Sequence, residues 1–105
     1  MALKVTTELL DGCVLGVLSK DDYYGYALTQ KIQESISVSS STIYPVMRRL
    51  KKQGLVTVYD SPYQGRNRRY YRITSDGNRE LSILKENWEN FKINIDYLMG
   101  ENNND

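Results

Sequence analysis

Between Val38 and Arg72 a helical apolar stripe gives way to two runs of strand character. That succession constrains the fold more than any other feature of the chain. Ile43, Val46, Met47 and Leu50 recur at i, i+3, i+4 and i+7, which marks one buried helix face. The helix begins near Ser39; with Ser39 as its cap, Val38 and Ile43 stand where a hydrophobic staple forms. At about 100° per residue, Ser41, Pro45, Arg48 and Lys52 line the opposite side. Thr42 and Arg49 flank that side on one edge, Tyr44 and Lys51 on the other. Pro45 lies past the first turn and is expected to bend the helix, and Gly54 ends it. Leu55 to Tyr59 and Arg68 to Ile73 are rich in β-branched and aromatic residues and read as two antiparallel strands. The connection between them holds Pro62 and Gly65 and is long for a hairpin.

The same stretch is strongly basic. Arg48, Arg49, Lys51, Lys52, Arg66, Arg68, Arg69 and Arg72 face a single acid, Asp60. The whole chain has 14 basic and 13 acidic residues, so its formal charge of +1 hides a polarised molecule. A concentrated cationic face suits a polyanion, because each neutralised phosphate releases condensed counterions.

Helical patterns precede and follow this stretch. Leu10, Cys13, Val14, Val17 and Leu18 mark a first helix from about Thr7 to Ser19, capped by Thr6 with Glu8 at its positive end. Gly12 and Gly16, four apart, suggest close helix packing, and Cys13 reads as a small core residue. Asp21 or Asp22 is the expected cap of a second helix over Tyr24 to Ser35, with Tyr26, Leu28 and Ile32 facing inward. Thr74 or Ser75 caps a final helix that runs to about Met99, where Gly100 stops it. Along that helix Leu81, Leu84, Trp88, Phe91, Ile95 and Leu98 alternate by three and four residues, an a/d heptad stripe. A stripe of this length exceeds what the preceding globule can cover. It implies a second copy of the chain, with Leu10 and Val14 of the first helix joining the interface. The plainer reading folds the last helix back over the first.

Composition narrows the function classes. A chain of 105 residues makes one compact unit. Residues 1–74 form the expected head, 75–99 the dimerisation helix and 100–105 a disordered tail. There is no histidine, no metal-ligand cluster, no glycine-rich phosphate loop and no exposed nucleophile, so acid–base, covalent and metal chemistry lack their usual groups. No enzyme, metal or cofactor is expected. The lone Cys13 excludes an internal disulfide and fits a reducing cytoplasm. Leu9 to Leu18 is too short and polar for a membrane span and lacks a basic leader, so neither membrane nor export is expected.

Three helices followed by a two-stranded wing, with a long C-terminal helix, make a mainly α, α+β winged helix-turn-helix. In that arrangement the third helix enters a major groove of double-stranded DNA. Ser40, Ser41, Thr42 and Tyr44 then meet base edges, Arg48 and Arg49 reach guanines or phosphates, and Lys51 and Lys52 anchor the backbone. Arg66, Arg68 and Arg69, at the wing tip, reach phosphates or a narrow minor groove. Tyr70 and Tyr71 point to opposite faces of their strand, one to the core and the other toward the recognition helix or the nucleic acid. Trp88 reads as interface core, or as one wall of a site for a flat aromatic molecule or a cation between two copies. A protein- or RNA-binding winged helix, with no duplex readout, is the alternative.

Four segments carry a family resemblance: Leu10-Asp11-Gly12…Leu15-Gly16, Tyr24-Gly25-Tyr26-Ala27-Leu28, Ser41-Thr42-Ile43-Tyr44-Pro45…Arg48-Arg49-Leu50…Gly54-Leu55, and Arg69-Tyr70-Tyr71-Arg72-Ile73-Thr74…Gly77. In order and spacing they resemble the PadR family of bacterial transcriptional regulators, in its short form with one C-terminal helix. The resemblance implies a cytoplasmic, nucleoid-associated homodimer joined through first and last helices, usually a repressor on a palindrome-like operator. It implies DNA contact by Ser41, Thr42 and Tyr44, supported by Arg48 or Arg49 and the wing arginines. Some relatives sense phenolic or drug-like molecules through a tryptophan of the last helix, for which Trp88 is the match. Ser41 stands where glycine is also common, and Lys51-Lys52-Gln53 replaces an acid-containing helix end. Both departures bear on operator preference.

Overall fold

The computed structural model describes residues 3–100. The order is α1 (Thr7–Leu18), β1 (Tyr23–Tyr24), α2 (Gly25–Gln33), α3 (Ser40–Lys52), β2 (Val56–Tyr63), β3 (Arg66–Ile73) and α4 (Ser75–Leu98). This is the winged helix-turn-helix expected from the sequence, with the long helix appended. The tail expected to be disordered lies, beyond Gly100, outside the described residues.

One core joins the three helices of the head to the sheet and to the start of α4. It consists of Leu10, Val14, Leu15 and Leu18 of α1, Leu28 and Ile32 of α2, the whole stripe Ile43, Val46, Met47 and Leu50 of α3, then Val56 and Leu81. The turn between α2 and α3 is tied by Gln33, whose Nε2 donates to the Val38 carbonyl at 3.0 Å. Thr6 caps α1, accepting from the Leu9 amide at 3.2 Å. Ser39 is the N-cap of α3 by backbone geometry, but its hydroxyl makes no capping bond. It pairs instead with Ser41 Oγ at 2.9 Å and Thr42 Oγ1 at 3.1 Å.

The end of α3 locks the sheet and α4 in place. Gly54 takes φ +78°, and the amides of Gly54 and Leu55 donate back to the carbonyls of Lys51 (3.0 Å) and Leu50 (2.9 Å). These two bonds form a Schellman stop. Thr74 then clasps that corner: its amide donates to the Leu55 carbonyl (3.0 Å), its hydroxyl donates to the Gly54 carbonyl (2.7 Å) and accepts from the Gly77 amide (3.0 Å). The last helix therefore leaves the wing at an angle set by a few bonds to the helix that precedes it.

Four expectations are corrected. The wing is three-stranded, in the order β1-β3-β2, because Tyr23 and Tyr24 pair with Tyr71 and Tyr70. The hairpin is tight: β2 and β3 stay paired up to Tyr63 and Arg66, leaving only Gln64 and Gly65 to turn. Both take positive φ, 51° and 78°, as a two-residue type I′ turn demands, and Gln-Gly is a weaker signal for it than Asn-Gly. Neither Asp21 nor Asp22 caps α2, whose N-cap is Tyr24. Asp22 is drawn to the wing, where its carboxylate accepts from Tyr59 Oη at 2.7 Å and Arg72 Nε at 3.1 Å. Finally, Tyr26 is exposed, and Thr29 takes the inward place, satisfied by donating to the Tyr26 carbonyl at 2.7 Å.

Candidate nucleic-acid interface

α3 presents the surface that its periodicity implied. Ser40, Ser41, Thr42, Pro45, Arg48, Lys51 and Lys52 are exposed on it. Pro45 lies inside the helix and has no N–H, so the Ser41 carbonyl lacks its i+4 donor on this outer face. Tyr44 is half-buried at the edge, beside α2 and the sheet. A Cβ at Gly25 would lie 3.5 Å from the Tyr44 ring and 3.6 Å from Tyr71, so the absent side chain leaves room for both rings. Burial raises the Tyr71 phenol above its ordinary value, while the cationic Arg69 and Arg48 pull the other way. Tyr71 thus faces the core and the recognition helix together, and Tyr70 stacks outward on Tyr59 with ring centroids 5.5 Å apart.

The five arginines of α3 and the wing tip do not share one environment. Arg48 is exposed and, among the described residues, has no carboxylate partner. Arg49, expected on the DNA edge of α3, is bound to Asp11 of α1 by a short ion pair and is only partly exposed. That hydrogen bond raises its guanidinium pKa further, against the small opposing effect of burial. Arg66 is exposed beside the turn, and Arg69 pairs loosely with Asp60 at 3.6 Å, facing the same side of the sheet as Tyr71. Arg68 points to the other side. Its guanidinium lies between two rings, 3.9 Å from the centroid of Tyr24 and 3.6 Å from that of Tyr63. Arg49 and Arg68 therefore leave the set of free cations, one to an ion pair and one to cation–π packing.

The second surface is the long helix. Leu10 and Val14, expected at a partner interface, are 1% and 0% exposed. They are corrected to core residues, because that face of α1 turns toward α2 and α3. Leu81 is buried against α1 in the same way. Beyond it the stripe emerges: Leu84 and Ile95 are half-buried, and Trp88, Phe91 and Leu98 are 41%, 55% and 75% exposed. Trp88 and Phe91 lie with centroids 6.3 Å apart. Between them and α1 runs an apolar groove of about 780 Å³, lined by Leu9, Gly12, Cys13, Leu84, Trp88 and Phe91 among others. Cys13 is half-buried, packed against the core and also a wall of this groove, and burial pushes its thiol pKa up. Gly12 and Gly16 face α4 across it, yet a methyl on either would sit at ordinary contact distance, 3.9 and 4.0 Å. They widen the groove rather than permit a tight crossing. Sequence reasoning missed Asp11, Leu9 and Gly12 as site residues. An acid within an otherwise apolar helix was the available signal for Asp11.

The model of the transcriptional regulator PadR-like family matches residues 14–83. The chain belongs to that family. A protein of Streptococcus mutans UA159 has the same fold with a TM-score of 0.88 and 35% identity, covering 96% of this chain and 95% of that one. A PadR family transcription regulator of Clostridium difficile R20291 aligns with a TM-score of 0.80 and 28% identity over 87% of this chain and 98% of its own. A PadR-like regulator of Bacillus cereus gives 0.79 and 31%, over 87% and 91%. This PadR-like protein is accordingly a DNA-binding transcriptional regulator and not an enzyme. Among the described residues no helix is long and apolar enough to cross a membrane.

Proposed function

We propose that this PadR-like protein is a homodimeric repressor that binds a palindrome-like operator in the cytoplasmic nucleoid and releases it when a small flat aromatic molecule enters the groove beside Trp88. The observation that carries the reading is the coexistence of two unpartnered surfaces. One is the cationic outer face of α3, and the other is the apolar length of α4 beyond Leu84. Two copies joined along α4 and the groove face of α1 carry their recognition helices at a separation set by α4. Half-sites are then expected one helical turn apart, ~34–36 Å. Ser40, Ser41, Thr42 and Tyr44 face the bases. Arg48 and Lys52 lie on phosphates or guanine edges, with Arg66 and Arg69 on the flanking backbone.

The test is Arg48→Ala with Lys52→Ala, both exposed and outside the core. Duplex binding is expected to weaken steeply at moderate salt, and the slope of log affinity on log salt to fall by about 3.6, at ~0.9 for each of the four contacts that the two copies lose. Thermal melting and oligomeric state should remain those of the parent. Unaltered binding by this variant would remove α3 from the duplex.

The effector reading has its own measurement. The chain has one tryptophan, Trp88, so its emission reports the groove alone. Planar aromatic ligands are expected to quench it at concentrations that release the operator, because only a ligand with different affinity for the two arrangements shifts them. Operator release with unchanged emission would place the sensor elsewhere.

A further inference from the structure

We propose that Asp11 is a positioning residue: it holds Arg49 against α1 and so keeps one cation of the recognition helix off the DNA backbone. The proposal rests on the reading of α3 as the duplex-facing helix. At ~100° per residue Arg49 stands on the same edge of α3 as Thr42, about 75° from the centre of the exposed face. A released arginine there has the reach to meet a phosphate. Among the described residues it is the only cation of α3 with a carboxylate partner, whereas Arg48, Lys51 and Lys52 have none. The partner comes from 38 residues away in sequence, on the helix whose next two residues, Gly12 and Cys13, line the groove. The carboxylate is 17% exposed and the guanidinium 37%, a half-solvated pair of the kind that contributes little to stability.

Its consequence lies in recognition. A phosphate contact strengthens binding to every sequence alike, while base contacts discriminate. An additional free arginine beside Thr42 would raise affinity for operator and mixed-sequence DNA by the same factor and make both more dependent on salt. Asp11 withdraws that cation.

The experiment measures binding of full-length protein to a mixed-sequence duplex and to DNA from its own upstream region, from about 50 to 200 mM salt. Asp11→Asn is expected to steepen the salt slope by ~1.8, one new phosphate contact from each copy of the dimer. Its affinity should therefore fall about 12-fold more than that of the parent across this range. The ratio of operator to mixed-sequence affinity should stay that of the parent, since a phosphate contact strengthens both alike. Asp11→Glu should keep the parental slope. Arg49→Ala alone should also keep it, and Asp11→Asn with Arg49→Ala should return to it, results that a purely structural role for the pair would not produce. A parental slope in folded Asp11→Asn overturns the proposal. So does a slope lowered by about two in Arg49→Ala, since Arg49 of each copy would then already lie on DNA. That second arm decides the matter even if Asp11→Asn fails to fold. A parent that binds no duplex at low salt sinks the duplex reading itself; unchanged slopes in a parent that binds sink only the role of Asp11.

Discussion

Gly77→Ala is expected to be the most destabilising single methyl in the chain, costing about 3 kcal/mol or more. A Cβ built at Gly77 would lie 2.1 Å from the Leu55 carbonyl oxygen and 2.7 Å from Ile73 Cγ1. The first of these is backbone, and that carbonyl is already held by the Thr74 amide at 3.0 Å. It cannot yield without opening the corner where α3, β2 and α4 meet. Overpacking against side chains costs typically 1–3 kcal/mol, and a fixed carbonyl places this site at or above the upper end. Small domains have only about 5–15 kcal/mol in total. In urea, with m of about 1–3 kcal/mol per molar, the midpoint should fall by more than about 1 M. Gly65→Ala is the contrasting variant. Nothing lies within 4 Å of its Cβ position, and only the positive φ of 78° opposes the methyl, about 1–2 kcal/mol. Equal losses at the two sites would contradict the packing at this corner.

Phe91→Asp is expected to dissociate the proposed dimer. In a single chain Phe91 is 55% exposed beside Trp88, midway along the uncovered stretch of α4. Burying about 100 Å² of each copy at ~25 cal/mol/Å² contributes about 5 kcal/mol across a two-fold interface. Aspartate forfeits that area and places two like charges near one axis. The dissociation constant should rise by at least about 10³-fold. Sedimentation equilibrium reads the change directly, and circular dichroism should still report the helices of the head, whose core does not include Phe91. Operator affinity should fall with it, since each half-site then binds alone. A Phe91→Asp protein that stays dimeric at low micromolar concentration would show that α4 is not the interface.

The two variants probe features of unequal legibility. The stripe of α4 stood in the sequence, because a three–four alternation of large apolar residues depends on nothing but helical period. Gly77 appeared there only as the last member of a family-like segment. Its need for hydrogen in place of a methyl comes from a carbonyl 22 positions earlier in the chain. Arg49 and Arg68 illustrate the same divide. Both stand among the basic residues of the stretch from Val38 to Arg72, and charge counting treats them as equals of Arg48 and Arg66. Packing separates them: Asp11 takes one, and Tyr24 and Tyr63 enclose the other. Leu10 and Val14 were correctly apolar but placed on the wrong face, since a helix with apolar residues on several sides does not say which side meets its own core.

Periodicity, caps and charge by themselves determined the helices, the winged helix-turn-helix order, the cationic face of α3 and the surplus apolar length of α4. Each of these follows from residues within a few turns of one another. The third strand, the tight Gln64–Gly65 turn, the clasp of Asp22 on the wing and the pairing of Arg49 with Asp11 were decided only in three dimensions. The strand pairing, the clasp and the ion pair join groups tens of residues apart, and the turn is fixed by the register of the strands it closes. Local pattern carries no record of which distant partner a polar group will meet; that choice is made when the core closes and brings the partners within hydrogen-bond reach.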